Sequence, residues 1–208
     1  MSAQATLAEG LARLKLVLPP PIQQKLLDYV VLVQKWNKVY NLTAVRDADK
    51  MLTHHLLDSL AVVPYVAHAK TLLDVGSGAG LPGIPLALAL PDVRVTLLDS
   101  NHKKTAFLTQ AVIELKLNNA DVVCERVEKY LSKQSFDVVV SRAFSDLPEF
   151  VASAGRLVAS GGTLLAMKGV HPFEEIAQLK GDFKLSGVTP LTVPGLDAER
   201  HLVFMKAA

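Results

Sequence analysis

Two carboxylates and a run of glycines stand where a nucleoside could be held. Asp74, Gly76, Gly78, Gly80 and Gly83 fall in TLLDVGSGAGLPGIPLALAL (71–90), and Asp99 ends VRVTLLD (93–99). Without a Cβ, the glycines let the backbone take positive φ and let an extended ligand lie against the main chain. Asp99 stands 23 positions after Gly76, close to the spacing at which an acidic residue at the tip of a second strand accepts from ribose hydroxyls. Thr71–Val75 reads as a short buried strand, Ile84–Leu90 as an apolar helix stopped by Pro91, and Arg94–Leu98 as the second strand. Together they describe an adenosine-binding βαβ unit.

The spacing Asp74-x-Gly76-x-Gly78-x-Gly80 departs from the G-x-G-x-x-G of dinucleotide oxidoreductases and carries a carboxylate inside the strand end. That carboxylate would repel a pyrophosphate but can hold the ammonium of a methionine moiety, directly or through water. The pattern resembles the first motif of Rossmann-like S-adenosylmethionine methyltransferases. A nicotinamide cofactor and a ligand-free glycine turn are the alternatives.

The chain around this unit is read as one α/β fold: a seven-stranded, mostly parallel sheet with a C-terminal antiparallel hairpin. Residues 1–70 form an N-terminal helical extension and residues 71–208 the core. In the extension, Leu7, Leu11 and Leu14 mark a first helix that Pro19–Pro21 breaks. A longer amphipathic helix runs from Ile22, with Leu26, Leu27, Val30, Val33 and Trp36 inward. Asn37–Val45 reads as a loop that could reach a ligand, with core and staple contacts the competing role for Trp36 and Tyr40. Asp47 is placed to cap one helix, and Asp58 or Ser59 another. His54 and His55 diverge by about 100° on a helix, so no shared metal is expected.

In the core, Asn101 to Asn118 brackets a helix, and Asp121–Glu125 is a third strand in which Cys124 is expected to be a small core residue. Arg126-Val127-Glu128 follows at its carboxyl end, where adenine would fall, although Glu128 could equally cap a helix through Tyr130 and Leu131. Phe136–Val140 is the most β-branched run and reads as the central strand, placing Arg142 of SRAF (141–144) at its carboxyl edge. Arg142 is either an ion-pair member or a contact to cofactor or substrate. A helix over Leu147–Val158, a turn at Gly161-Gly162, strand five over Thr163–Met167, a helix over Pro172–Leu179 and a terminal hairpin complete the chain.

Composition agrees with one domain and a sizeable core: 208 residues, 50% of them hydrophobic. No leader-like start and no apolar run of about 18 residues is present, so a cytoplasmic location is expected. A single cysteine excludes a disulfide framework or a cysteine-based metal site. Net charge is +2, but residues 1–70 hold 8 basic against 5 acidic side chains and residues 71–208 hold 14 against 15. That is a modest signal for a polyanionic partner.

The missing motifs narrow the acceptor. SRAF replaces the Asn/Asp-Pro-Pro-aromatic turn needed for an exocyclic amine, and no cysteine is placed to attack a pyrimidine carbon. Hydroxyls, carboxylates and ring nitrogens with a free lone pair remain. Guanine N7 needs no general base, only alignment, which can supply roughly 7–11 kcal/mol. A small-molecule O- or N-methyltransferase, and a module that binds S-adenosylmethionine only as a signal, are the other classes.

WNKVYNLTAVRD, HHLLDSL, LLDVGSGAGLPGIPLA, DSNHKKTAFL, RVE, VVVSRAF, MKG and the pair Arg200-His201 resemble the bacterial ribosomal RNA small subunit methyltransferase G family, also called glucose-inhibited division protein B. The resemblance covers nearly the whole chain. It implies S-adenosylmethionine-dependent N7 methylation of the guanine at position 527 of 16S ribosomal RNA. It implies a cofactor pocket of Gly76, Leu81, Val127, Glu128 and Arg142, beside the Gly78, Asp74 and Asp99 read above. Asp99 stands where many relatives have Glu, and Val127 where many have Ala; the charge is kept. Lys168, Arg200, His201, Tyr40 and Asn41 are the candidates for RNA contact, with no group assigned as a general acid or base and Arg142 the best catalytic candidate. A monomer acting on RNA within the 30S subunit, without metal or membrane, is expected.

Overall fold

The sheet is built from strands whose successive residues feed two separate cores. The computed structural model describes residues 2–142, 144 and 146–207; Ala143 of the SRAF segment lies outside them. The strands are β1 (Thr71–Val75), β2 (Arg94–Asp99), β3 (Ala120–Cys124), β4 (Phe136–Ser141), β5 (Val158–Lys168), β6 (Phe183–Pro190) and β7 (His201–Ala207). Their order is β3-β2-β1-β4-β5-β7-β6, with β7 antiparallel to both neighbours. β4 is therefore the middle strand, and its Val138 and Val140 join one core while Val139 joins the other. In β1, Leu72 faces the first and Leu73 and Val75 the second. Strands covered on both faces explain the unbroken apolar runs.

The first core is closed by the N-terminal helices α1 (Ala3–Arg13) and α2 (Pro20–Tyr40) and by the helices that follow β1 and β2, α6 (Gly83–Ala89) and α7 (His102–Glu114). The second is closed by α8 (Leu147–Ala154), through Leu147, Phe150 and Ala154. Between α2 and β1, a continuous helical run comprises α3 (Ala48–Met51), a π-helical turn (Leu52–Leu57) and α4 (Asp58–Leu60), followed by α5 (Val63–Val66). The last helix is α9 (Phe173–Ala177).

Several expectations are corrected. The proline run does not merely end the first helix: Pro20 and Pro21 occupy the first turn of α2, where their missing N–H groups would have no partner anyway. α2 continues to Tyr40, so only the residues from Asn41 form the loop, and Asn37 is a buried helical residue. Its amide explains the burial: Oδ1 accepts from Thr43 N–H at 2.9 Å and Nδ2 donates to Val45 O at 3.2 Å, shaping that loop. Asp47 does cap α3, but neither Asp58 nor Ser59 caps a helix, because the π turn carries the chain straight through them. Arg126–Tyr130 is a turn with no helix for Glu128 to cap. Gly161 and Gly162 lie within β5, and α8 stops at Ala154 before a 3-10 turn. Cys124 is exposed, since β3 is the sheet's edge, and its Sγ lies 3.1 Å from His102 Nδ1.

Tyr29 ties α2 to the glycine loop. Its ring is 1% exposed and its hydroxyl donates to Ala79 O at 2.6 Å. Burial pushes its pKa well up, so it stays a neutral donor. Tyr29→Phe is expected to lower unfolding free energy by about 1–2 kcal/mol, because a buried carbonyl loses its donor. Urea denaturation should show a lower midpoint at unchanged slope; an unchanged midpoint would contradict this.

Candidate active site

The glycine loop is held from below by one carboxylate and from the side by another. Asp74 is fully buried. Its Oδ2 accepts from Ser77 Oγ–H at 2.6 Å and from Gly83 N–H at 2.9 Å, joining the strand end, the loop and the start of α6. Oδ1 has no partner. Gly83 is required there because a Cβ would collide with Leu97 and come within 2.7 Å of Asp74 Oδ2. Asp99 accepts from Gly78 N–H through Oδ2 at 2.9 Å and from Asn101 N–H through Oδ1 at 2.8 Å. Gly78 has φ 59°, a left-handed conformation that a Cβ would strain.

Three cavities run along the carboxyl edge of the sheet, where ligands of open α/β sheets bind. The first, ≈ 520 Å³, is lined by Gly76, Asp99, Val127, Glu128, Phe144 and Lys104 among others. The second, ≈ 130 Å³, shares Gly76 and adds Leu42, Thr43, Gly78, Leu81 and Arg142. The third, ≈ 300 Å³, shares Arg142 and adds Asp58, Met167, Lys168, Gly169 and Arg200. Gly76, Gly78, Leu81, Asp99, Val127, Glu128 and Arg142 thus line the first two of these neighbouring cavities, with Gly76 common to both. Asp74 lines neither and lies beneath the loop.

Asp58 organises the third cavity. Its side chain is 1% exposed and takes one arginine on each oxygen: Arg200 Nε to Oδ1 at 3.0 Å and Arg142 Nη1 to Oδ2 at 3.1 Å. Arg142 Nη1 also reaches His54 O at 3.4 Å, and Nη2 lies 3.3 Å from His55 Nδ1. His55 is pushed down to about 4 by burial and then by Arg142, so its ring is neutral. His55 Nδ1 also lies 3.0 Å from His54 O, so an Nδ1–H donates to that carbonyl and Nε2 accepts from Thr43 Oγ1–H, 2.7 Å away. His55 and Asp58, three residues apart across the π turn, share one helical face and so meet the same guanidinium.

Lys168 ion-pairs with Glu175 at 2.7 Å and donates to Phe144 O at 3.3 Å. His201 Nδ1 lies 2.9 Å from Gly169 O. Arg200 and Lys168 therefore line the third cavity, and His201, which does not line it, stands beside it at Gly169. Tyr40 and Asn41 line none of the three: Tyr40 stacks on Trp36 at 5.1 Å, and Asn41 is the left-handed residue ending α2, accepting from Arg46 at 3.4 Å. Their neighbours Leu42 and Thr43 line the second cavity instead. Thr43 falls in the loop expected to reach a ligand, while sequence reasoning missed Tyr29 and the bridging role of Asp58. Tyr29 lies on the apolar period of α2 between Leu26 and Val33, which was a usable signal; Asp58 gave none, because a carboxylate beside a serine reads as a cap.

The fold itself is that of known methyltransferases. The O-methyltransferase TomG from Streptomyces achromogenes, solved in complex with SAM, superposes with a TM-score of 0.62 at 15% identity, covering 100% of this chain and 99% of that one. The glycopeptide N-methyltransferase MtfA gives 0.64 at 13% identity over 74% and 96% of the two chains. The family described as rRNA small subunit methyltransferase G matches residues 22–203. The chain belongs to that family. Proteins named ribosomal RNA small subunit methyltransferase G are 58% identical in Laribacter hongkongensis, over 98% of each chain, and 56% identical in Chromobacterium violaceum, over 97% of this chain and 96% of that one. Among the described residues of this methyltransferase G family member, no group of three or more His, Cys, Asp or Glu could hold a metal, and no helix is long and apolar enough to cross a membrane.

Burial raises Asp74 to about 6 against Ser77 and Gly83, whose hydrogen bonds lower it. The folded state therefore binds a proton more tightly than the unfolded chain, so Asp74's contribution falls as pH rises from about 4 to 6. The span corresponds to on the order of 3 kcal/mol. Asp74→Asn should remove that loss: the stability difference between variant and wild type should shift in the variant's favour across this window. Parallel stability curves would contradict it.

Proposed function

We propose that the protein transfers the methyl group of S-adenosylmethionine to N7 of a guanine in 16S ribosomal RNA, the one at position 527 by family resemblance. The observation that carries this reading is Arg142, which lines both the cavity beside the glycine loop and the cationic cavity beyond it. A cofactor bound along the loop and a base held in the third cavity would meet beside this side chain.

The residues present fit that cofactor. Gly78 leaves the main chain open: among the described residues only Gly76 O comes within 4 Å of a Cβ built on it. Asp99 keeps lone pairs for ribose hydroxyls, Val127 and Glu128 flank the adenine end, and Asp74 shapes the loop from beneath through Ser77 and Gly83, its orphaned Oδ1 left for a bridging water. When bound, S-adenosylmethionine supplies a methyl group on a positively charged sulfur. The protein needs to exclude water and hold the acceptor in line.

No residue is asked to remove a proton. N7 presents its lone pair directly, Asp58 is occupied by two arginines, and burial beside Arg142 makes His55 a weak base. Arg142, Arg200 and Lys168 set against Asp58 and Glu175 give this region three positive and two negative charges, a net of +1. That favours RNA phosphate while opposing the methylated, positively charged ring only weakly. The modest charge of the whole chain, +2, supports a substrate presented within the 30S subunit, where ribosomal proteins share the contacts.

Incubation with methyl-labelled cofactor and unmethylated 30S subunits should label one guanine of 16S ribosomal RNA at N7, mapped by mass spectrometry. Label on an oxygen, an exocyclic amine or a small molecule instead would overturn the proposal. Equal rates on protein-free RNA would remove the 30S requirement.

A further inference from the structure

Beyond the cationic cavity lies a feature that neither the cofactor nor the target base accounts for. The segment from Gly169 to Phe173 leaves β5 at its carboxyl end and carries two apolar side chains out into solvent: Val170 and Phe173 are each 72% exposed. Phe173 does not project alone. Its ring stacks on His171 with centroids 3.8 Å apart and planes inclined by 28°. His171 in turn meets His201 edge-on at 5.4 Å and 77°. Pro172 between the two rings is buried and the Phe173 N–H donates to His171 O at 3.1 Å, so a short turn fixes the stack to the body of the protein.

The position of this stack is set by the sheet. His201 pairs with Lys168 across β5 and β7 and its Nδ1 lies 2.9 Å from Gly169 O. Lys168, Gly169 and Arg200 all line the third cavity. An exposed aromatic face therefore adjoins a site edged by guanidinium and ammonium groups. The three cations there exceed the two carboxylates that pair with them, Asp58 and Glu175, and a flat ring beside a cationic excess suits a single-stranded nucleic acid, which needs cations for its phosphates and a ring face for its bases.

We infer that the His171–Phe173 stack is a second RNA subsite, on which an unstacked base next to the target guanine lies against the exposed face of Phe173 while the neighbouring phosphate meets the Lys168–Arg200 side. This rests on the proposed RNA substrate. Such a platform tolerates any base, because every base offers a π face. It acts on binding rather than on the reacting atoms.

The test is steady-state methylation of unmethylated 30S subunits by the full-length protein, with binding of a protein-free RNA oligonucleotide spanning the target loop measured in parallel. Phe173→Ala should raise KM for 30S subunits and weaken oligonucleotide binding, each by about 10-fold or more, with kcat and S-adenosylhomocysteine affinity unchanged. Phe173→Trp should restore both. The inference is overturned if Phe173→Ala matches wild type, if tryptophan is no better than alanine, or if KM for 30S rises while oligonucleotide binding stays the same, which would put a ribosomal protein on this face. Absence of guanine labelling by the wild type would instead remove the reading of the substrate, and this inference with it; labelling by wild type with an indifferent Phe173→Ala removes only the subsite.

Discussion

Asp58 is the point at which three distant parts of the chain become one site. It comes from the helical run before the sheet, Arg142 from the end of the middle strand and Arg200 from the approach to β7, yet both guanidiniums lie within 3.1 Å of its two oxygens. A carboxylate 1% exposed is costly to bury, and burial does raise its pKa against the two arginines, which lower it. The cost is offset only while both partners stay in place. The arrangement is therefore all or nothing: the helical extension must dock correctly for either arginine to be held.

The same logic reaches the cofactor side. Tyr29 from α2 grips the glycine loop through Ala79, and Thr43 from the following loop is held to His55, which faces Arg142. The N-terminal helices are thus not a cover added to a finished enzyme fold. They supply hydrogen bonds to the loop at one end of the site and the anionic pivot of the arginines at the other.

This division explains what could be read in the sequence. The sheet and its glycine loop follow from local patterns: continuous β-branched runs, glycines in a tight turn, and Asp99 at the correct distance. Contacts of long range left no such mark. Asp58 and Arg142 are 84 positions apart, and Asp58 and Arg200 are 142 apart, so nothing local distinguishes a bridging carboxylate from a helix cap. Cys124 failed for the opposite reason: an apolar strand looks buried until the strand order places it on an edge. Asp74 was legible as important, but its role in tying the loop to α6 depends on Gly83 approaching from the next helix.

Asp58 acts by placing the arginines, not by chemistry of its own. Asp58→Asn keeps the shape and removes the charge that both arginines share. In the folded variant, kcat for methylation of 30S subunits should fall by about 100-fold, the scale of a misplacement near 1 Å, while S-adenosylhomocysteine affinity stays within about threefold, a shift under 1 kcal/mol. Wild-type turnover in this variant, or a loss of cofactor affinity as large as the loss of turnover, would contradict the account.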